Sequence, residues 1–270
     1  MSDTCNNTNI FYPRSALGKA FGKSIISGEH SVVYGQPAIV MGIDKSIVAQ
    51  IDFFPRSHVF KDNLYSLDEI FWDCIFIDNT NNNSNINNND LEQDVTEDNN
   101  LTCNNLGELF KKCETWQARF LEFKAALDKN LDTTSLLKKI FDTPEEFIFN
   151  AIGYLLKEVL NLKYHLNLND LEKAFLPFEQ ISIQITSNIP IGRGYGSSAA
   201  VLAALVKAFN NAFELNLSDD EIFIRVYELE CFWHGKSSGI DPIMAILGGL
   251  QYIQPTSPPK LANATKIKKS

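Results

Sequence analysis

The chain has 270 residues, of which 44% are hydrophobic and 21% charged, the make-up of a soluble globular protein long enough for one large or two modest cores. Its net charge of −9 argues against nucleic acid or an anionic membrane as the partner, since either calls for a basic face. An acidic chain that binds phosphate must supply positive potential locally, from a helix N-terminus, a lysine or a metal ion. Cys5, Cys74, Cys103, Cys113 and Cys231 form no CxxC pair and no metal-ligand spacing, so reduced thiols are expected. No basic start followed by an apolar run opens the chain, and no stretch of about 18 apolar residues occurs, so a cytoplasmic protein without a signal peptide or membrane span is expected.

In chain order, residues 16–51 read as two or three strands, with compact apolar runs at Ile25–Ile26, Ala38–Met41 and Ile47–Ile51 punctuated by Gly22, Gly28, Gly35 and Pro37. Residues 79–105 are dominated by Asn and cannot bury enough surface to offset their ordering entropy, which predicts an exposed, disordered insertion. Helical spacing follows over 106–129 and again over 144–161, where Pro144 suits a first turn. Ile181, Ile183 and Ile185 alternate with polar residues as in a half-buried strand, which runs into the loop Ser187–Pro190. Residues 198–213 read as a buried helix. Ser218 with Glu221 forms a capping box for another, ending near His234–Gly235, and LQYI after Gly248–Gly249 reads as a short strand. The mixed order and helical middle predict a two-layer α+β domain over 1–254, with a loose, polar tail over 255–270.

Three clusters carry chemistry. In IPIGRGYGSSAAVLAAL (189–205), Gly192, Gly194 and Gly196 let the backbone turn tightly and approach a ligand. Ser197 and Ser198 then open an apolar helix whose unpaired N–H groups suit a phosphate. The spacing is neither that of a Walker A loop nor that of a Rossmann fingerprint. In GKSIISGEHSVVYGQPAIVMGID (22–44), Lys23, Glu29 and His30 are a charged trio between apolar strands; it reads either as a solvated turn or, for Lys23, as a compact cation in a pocket. In ELECFWHGKSSGIDPIMAILGG (228–249), a helix delivers Glu230, breaks at Gly235 and is followed by a turn leading to Asp241, a residue type that also serves in turns as a local hydrogen-bonding group.

The first cluster resembles the second signature of the GHMP kinase superfamily, Pro-x-Gly-x-Gly-x-Gly-Ser-Ser-Ala, with Arg193 and Tyr195 as unusual residues between the glycines. The other two are similar to mevalonate kinase signatures, Gly-Lys with Gly-Glu-His and Glu-x-x-x-His-Gly-x-Pro-Ser-Gly-x-Asp; Ser237 stands in place of the usual Pro. A galactokinase would carry Asp-Tyr soon after Glu-His, where this chain has Ser31-Val32-Val33-Tyr34. The resemblance covers about 70 residues in family order. It implies a GHMP-kinase-type N-terminal domain, a mixed sheet packed with helices, with the family's C-terminal domain and third glycine-rich signature absent or truncated. It further implies ATP and Mg²⁺ as cofactors and mevalonate as the small-molecule substrate, phosphorylated to 5-phosphomevalonate. By resemblance, Asp241 is the base and Lys23 its catalytic partner. Lys23, Ser187, Gly192, Arg193, Gly194, Tyr195, Gly196, Ser197 and Ser198 bind the nucleotide. Ser198 and Glu230 hold the metal, and Glu29, His30 and Asp241 face the acceptor. A kinase for another small alcohol or sugar, and a non-catalytic relative, are the alternative readings. The sequence leaves open whether the chain forms a homodimer.

Overall fold

A computed structural model of the chain describes residues 15–29, 32–55, 65–66, 70–80, 100–143, 145–164, 173–174, 178–190 and 192–267. The frame is an antiparallel ribbon of β1 (Ser15–Ser27) and β2 (Ala38–Pro55), paired from Ser15↔Asp52 to Ser27↔Ile39. Small residues Ala16, Gly18 and Ala20 alternate with exposed Leu17, Lys19 and Phe21, so one face of β1 can lie close to a neighbouring layer. The chain continues through β3 (Tyr65–Ser66), β4 (Phe71–Asp78), β5 (Asn100–Asn105), α1 (Leu106–Asp128), α2 (Thr134–Leu137), α3 (Glu145–Tyr164), β6 (Lys173–Ala174) and β7 (Phe178–Ser187). It closes with α4 (Ser197–Phe213), α5 (Asp219–His234), α6 (Ile240–Leu247), β8 (Leu250–Ile253) and β9 (Ala264–Lys266).

The main sheet runs β5-β4-β7-β2-β8-β9, with β1 on the other edge of β2; β4 and β7 are parallel and the remaining pairs antiparallel. β7 and β8 share one edge of β2 end to end, β7 along Ile47–Pro55 and β8 along Ala38–Met41. Inward-facing Ile47, Ile51, Trp72, Cys74, Ile181, Ile183 and Ile185 pack with Trp116 of α1, Ile152 of α3 and Phe209 and Phe213 of α4 in one core. The opposite face of the sheet is more polar: Asp73 accepts hydrogen bonds from Gln180 and Ser182 across the parallel pair. This is the expected two-layer arrangement of a mixed sheet and helices, and no described helix is long and apolar enough to cross a membrane.

Two sequence expectations need correction. The insertion expected over 79–105 is narrower at its C-terminal end, because residues 100–105 form β5 on the edge of β4 and Asn105 caps α1 by accepting from the Glu108 N–H at 2.8 Å. An edge strand is held by backbone hydrogen bonds, so an Asn-rich composition conceals it; residues 81–99 lie outside the described residues. The tail expected over 255–270 is not loose as far as Ile267: Leu261 packs in a small core with Val40 and Ile243, β9 pairs with β8, and Ile267 N–H donates to Leu250 O.

The layers approach closely at Gly18, where a Cβ would stand 2.0 Å from Ala204 O and 2.4 Å from Ala208 N in α4. Those are helix backbone atoms, which cannot rotate aside. Gly18→Ala is therefore expected to lower unfolding stability by about 3 kcal/mol, the upper range for overpacking, in a urea titration. An unchanged midpoint would show that α4 moves freely off β1.

Candidate active site

β1 carries Lys23 to the site through an irregularity in its pairing. Phe21 pairs with Ser46 but Lys23 pairs with Gly42, so two steps along β1 match four along β2. The bulge breaks the alternation: Gly22 and Lys23 are both buried, where a regular strand would turn one of them to solvent. Lys23 is thereby the one buried lysine or arginine among the described residues. It lies opposite the stretch of β2 between its contacts with β7 and β8, where Gly42 N–H donates to Gly249 O at 2.7 Å and Asn188 N–H to Ser46 O at 3.1 Å.

The glycine loop rests on that lysine. Lys23 N–H donates to Tyr195 O at 2.9 Å, and a Cβ on Gly196 would meet Lys23 Cγ at 3.2 Å and Asp241 Oδ2 at 3.3 Å. Gly196 also has φ near 69°, so both backbone conformation and space select glycine there. It occupies the N-cap position of α4, and no side chain caps that helix. The N–H groups of its first turn are therefore left for another acceptor, at the positive end of the helix dipole. Over Gly192 and Gly194 the space is open: among the described residues beyond their chain neighbours, no atom lies within 4 Å of where a Cβ would stand.

The third cluster closes the site. α5 starts at the capping box of Ser218 and Glu221 and brings Glu230 inward near its end, 2% exposed. Ser198 Oγ donates to Glu230 Oε1 at 3.3 Å and lies equally far, 3.3 Å, from His234 Nε2; Ser237 Oγ donates to Glu230 Oε2 at 2.8 Å. Burial, helped by the negative charge of Asp241, pushes the Glu230 carboxyl up to about 8, against the opposing pull of both serine hydroxyls and Lys23. Burial also pushes the His234 imidazole below its ordinary value, with Asp241 working the other way. The turn after Gly235 ends at Gly239 and starts α6, a helix that composition read as a turn. It places Asp241 in its first turn, with Oδ1 3.2 Å from Lys23 Nζ.

Of the residues singled out in the sequence, the fold brings Lys23, Gly196, Ser198, Glu230 and Asp241 together. Gly192, Arg193, Gly194 and Tyr195 form the exposed rim of the loop, with Ser197 half-buried at the start of α4. Ser187 is placed differently from a nucleotide-contacting hydroxyl: it is fully buried at the end of β7, where it accepts from Ile189 N–H at 3.2 Å and closes the turn into the loop. Glu29 is exposed in the turn after β1, and His30 lies outside the described residues. Ser237 was legible only as a departure from a motif; its bond to Glu230 spans seven residues and a broken helix, which no spacing rule anticipates.

The arrangement offers oxygen donors on Ser198 and Glu230 suited to a hard cation, uncapped amides suited to phosphate, and a carboxylate beside an ammonium suited to proton transfer.

Residues 151–249 match the family model described as the GHMP kinases N terminal domain. A mevalonate kinase of Pyrococcus abyssi is 28% identical over 89% of this chain and 51% of its own, and one of Pyrococcus horikoshii is 44% identical over 27% of this chain and 22% of its own. The chain thus spans about half the length of the first of these relatives. The crystal structure of the Methanococcus jannaschii mevalonate kinase shares the fold, with a TM-score of 0.55 at 22% identity over 97% of this chain and 57% of that one. Residues 151–249 thus resemble a GHMP kinase N-terminal domain, set in a chain whose fold is shared with a mevalonate kinase of known structure.

Proposed function

We propose that this domain binds Mg-ATP and serves phosphoryl transfer to the 5-hydroxyl of mevalonate, giving 5-phosphomevalonate and ADP. The observation that carries the reading is the Lys23–Asp241 pair, 3.2 Å apart, lying directly beneath Gly196 at the uncapped start of α4. The relatives named as mevalonate kinases support mevalonate as the acceptor.

The chain's residues fit the two groups this chemistry requires. The free amides of α4 and the open space over Gly192 and Gly194 accommodate phosphates, with Arg193 and Tyr195 at the rim. Ser198 and Glu230 would hold Mg²⁺, a hard cation satisfied by one carboxylate, a hydroxyl, phosphate oxygens and water. When bound, ATP supplies the phosphoryl group and Mg²⁺ neutralises charge on its oxygens. Asp241 accepts the proton of the acceptor hydroxyl as the new oxygen–phosphorus bond forms and the bond to ADP breaks. Lys23 holds Asp241 in register and presents positive charge to the developing alkoxide. Glu29 and His30 serve the acceptor side, and Ser187 supports the loop from below rather than touching nucleotide.

A coupled ADP-release assay on the full chain, with mevalonate set against a panel of sugars, tests the reading. Mevalonate-dependent release is expected, and Asp241→Asn should cut kcat by about 10² or more with far less change in KM, the scale for losing a positioned base. Folded wild-type protein without mevalonate-dependent release would overturn catalysis by this chain. An active Asp241→Asn variant would remove Asp241 as the base.

Glu230 generates a pH prediction. In the unfolded chain its carboxyl ionises near the ordinary glutamate value of 4.5, whereas burial in the metal-free fold keeps the proton to about 8. A raised folded value means stability that is fully present below pH 4.5 and lost as pH rises through 8. Urea titrations of metal-free protein should show this decline over that window, and Glu230→Gln should remove it. A slope identical in the variant would contradict a buried, protonated Glu230.

A further inference from the structure

The two oxygens of Glu230 have different partners. Oε1 meets Ser198 at 3.3 Å, a hydroxyl that also lies 3.3 Å from His234 Nε2, whereas Oε2 takes the shorter bond, 2.8 Å, from Ser237. A serine hydroxyl has one proton to donate and lone pairs to accept. Ser237 uses both: its proton goes to Glu230, and its oxygen accepts from Gly239 N–H at 3.1 Å, the residue that caps α6. One hydroxyl therefore ties the carboxylate at the end of α5 to the turn that begins the Asp241 helix.

We propose that Ser237 is a positioning residue for the cation: by pinning Oε2 of Glu230 it turns Oε1 toward Ser198 and fixes the direction from which the carboxylate binds metal. The inference rests on the reading of Ser198 and Glu230 as the metal ligands. Because Glu230 is 2% exposed, water cannot easily replace a lost partner, and a carboxylate without Ser237 is left with one protein hydroxyl and freedom to rotate. The same carboxylate then pays a larger ordering cost when it meets the cation, and affinity falls. The competing role, in which Ser237 only shapes the turn through Gly239, would affect folding stability and leave metal affinity alone.

The test is Mn²⁺ binding to the full chain, read as the loss of the free Mn²⁺ electron paramagnetic resonance signal in the presence of a non-hydrolysable ATP analogue, with urea unfolding run beside it. Ser237→Ala should weaken Mn²⁺ binding about tenfold, the lower range for losing a hydrogen-bond partner of a metal ligand, and Ser237→Thr, which keeps the hydroxyl, should restore most of it. Glu230→Gln should weaken binding at least as much as Ser237→Ala. Wild-type affinity in Ser237→Ala, with Glu230→Gln impaired, would overturn the positioning role while leaving the proposed function standing. Equal losses in Ser237→Ala and Ser237→Thr would also overturn it, since the hydroxyl would not then be the cause. Wild-type affinity in Glu230→Gln would overturn both readings together.

Discussion

The site depends on the pairing defect between β1 and β2. A lysine on a regular strand at this point would continue the alternation in which Leu17, Lys19 and Phe21 face outward. The extra residues of β2 around Ile43–Lys45 turn Lys23 inward, against the α4 side of the sheet. Once there, an ammonium can be tolerated only with a partner, because leaving a buried charge uncompensated costs on the order of 3–5 kcal/mol. Asp241 is that partner, and α6 is placed so that its first turn delivers it. The glycine loop then has a floor: a Cβ on Gly196 would crowd the pair beneath, on top of the strain of its positive φ.

The site is also a place where stability is given up. Glu230 is buried with one lysine in its field but with Asp241 opposing it, and two serine hydroxyls only partly offset the desolvation. A fold optimised for stability alone would replace such a carboxyl with an apolar side chain. Its retention beside an uncapped helix start is consistent with a group awaiting a positive ligand. By contrast, the ion pair of Arg225 and Glu158 between α5 and α3 is satisfied within the domain, as is the Tyr154–Glu228 hydrogen bond nearby. These polar contacts hold helices together and leave nothing unmet.

Much of this was legible in the sequence where a local rule applied. The capping box of Ser218 and Glu221, the alternation of Ile181–Ile185 and the glycine spacing each depend on neighbours a few residues apart, and the structure contains the corresponding elements. β5 and β9 were missed because edge strands draw on the backbone of a distant partner, which leaves little trace in side-chain pattern. The parity break at Lys23 was invisible for a related reason: a bulge is a property of two strands in register, and the extra residues sit on β2 rather than beside the lysine. Ser187 was assigned by motif alone, and the fold assigns its hydroxyl to a turn because it lies at the buried end of β7. Asp241 could be singled out, but its helix could not, since IDPIMAIL carries a proline and opens on a glycine cap.

The parallel pairing of β4 with β7 has a consequence for how the chain is made. Asp78 closes one strand and Phe178 opens the other, a hundred positions later, with α1 and α3 between them. At synthesis rates of about 5–20 residues per second, β4 leaves the ribosome roughly 5–20 seconds before its parallel neighbour exists. β5 arrives sooner and covers one edge, so the exposed interval belongs to the other edge, whose Trp72 and Cys74 face inward in the finished core. During that interval the edge is open to pairing with another chain. Recovery of soluble protein should accordingly depend more on translation rate and chaperone supply than a finished sheet with this edge covered would suggest.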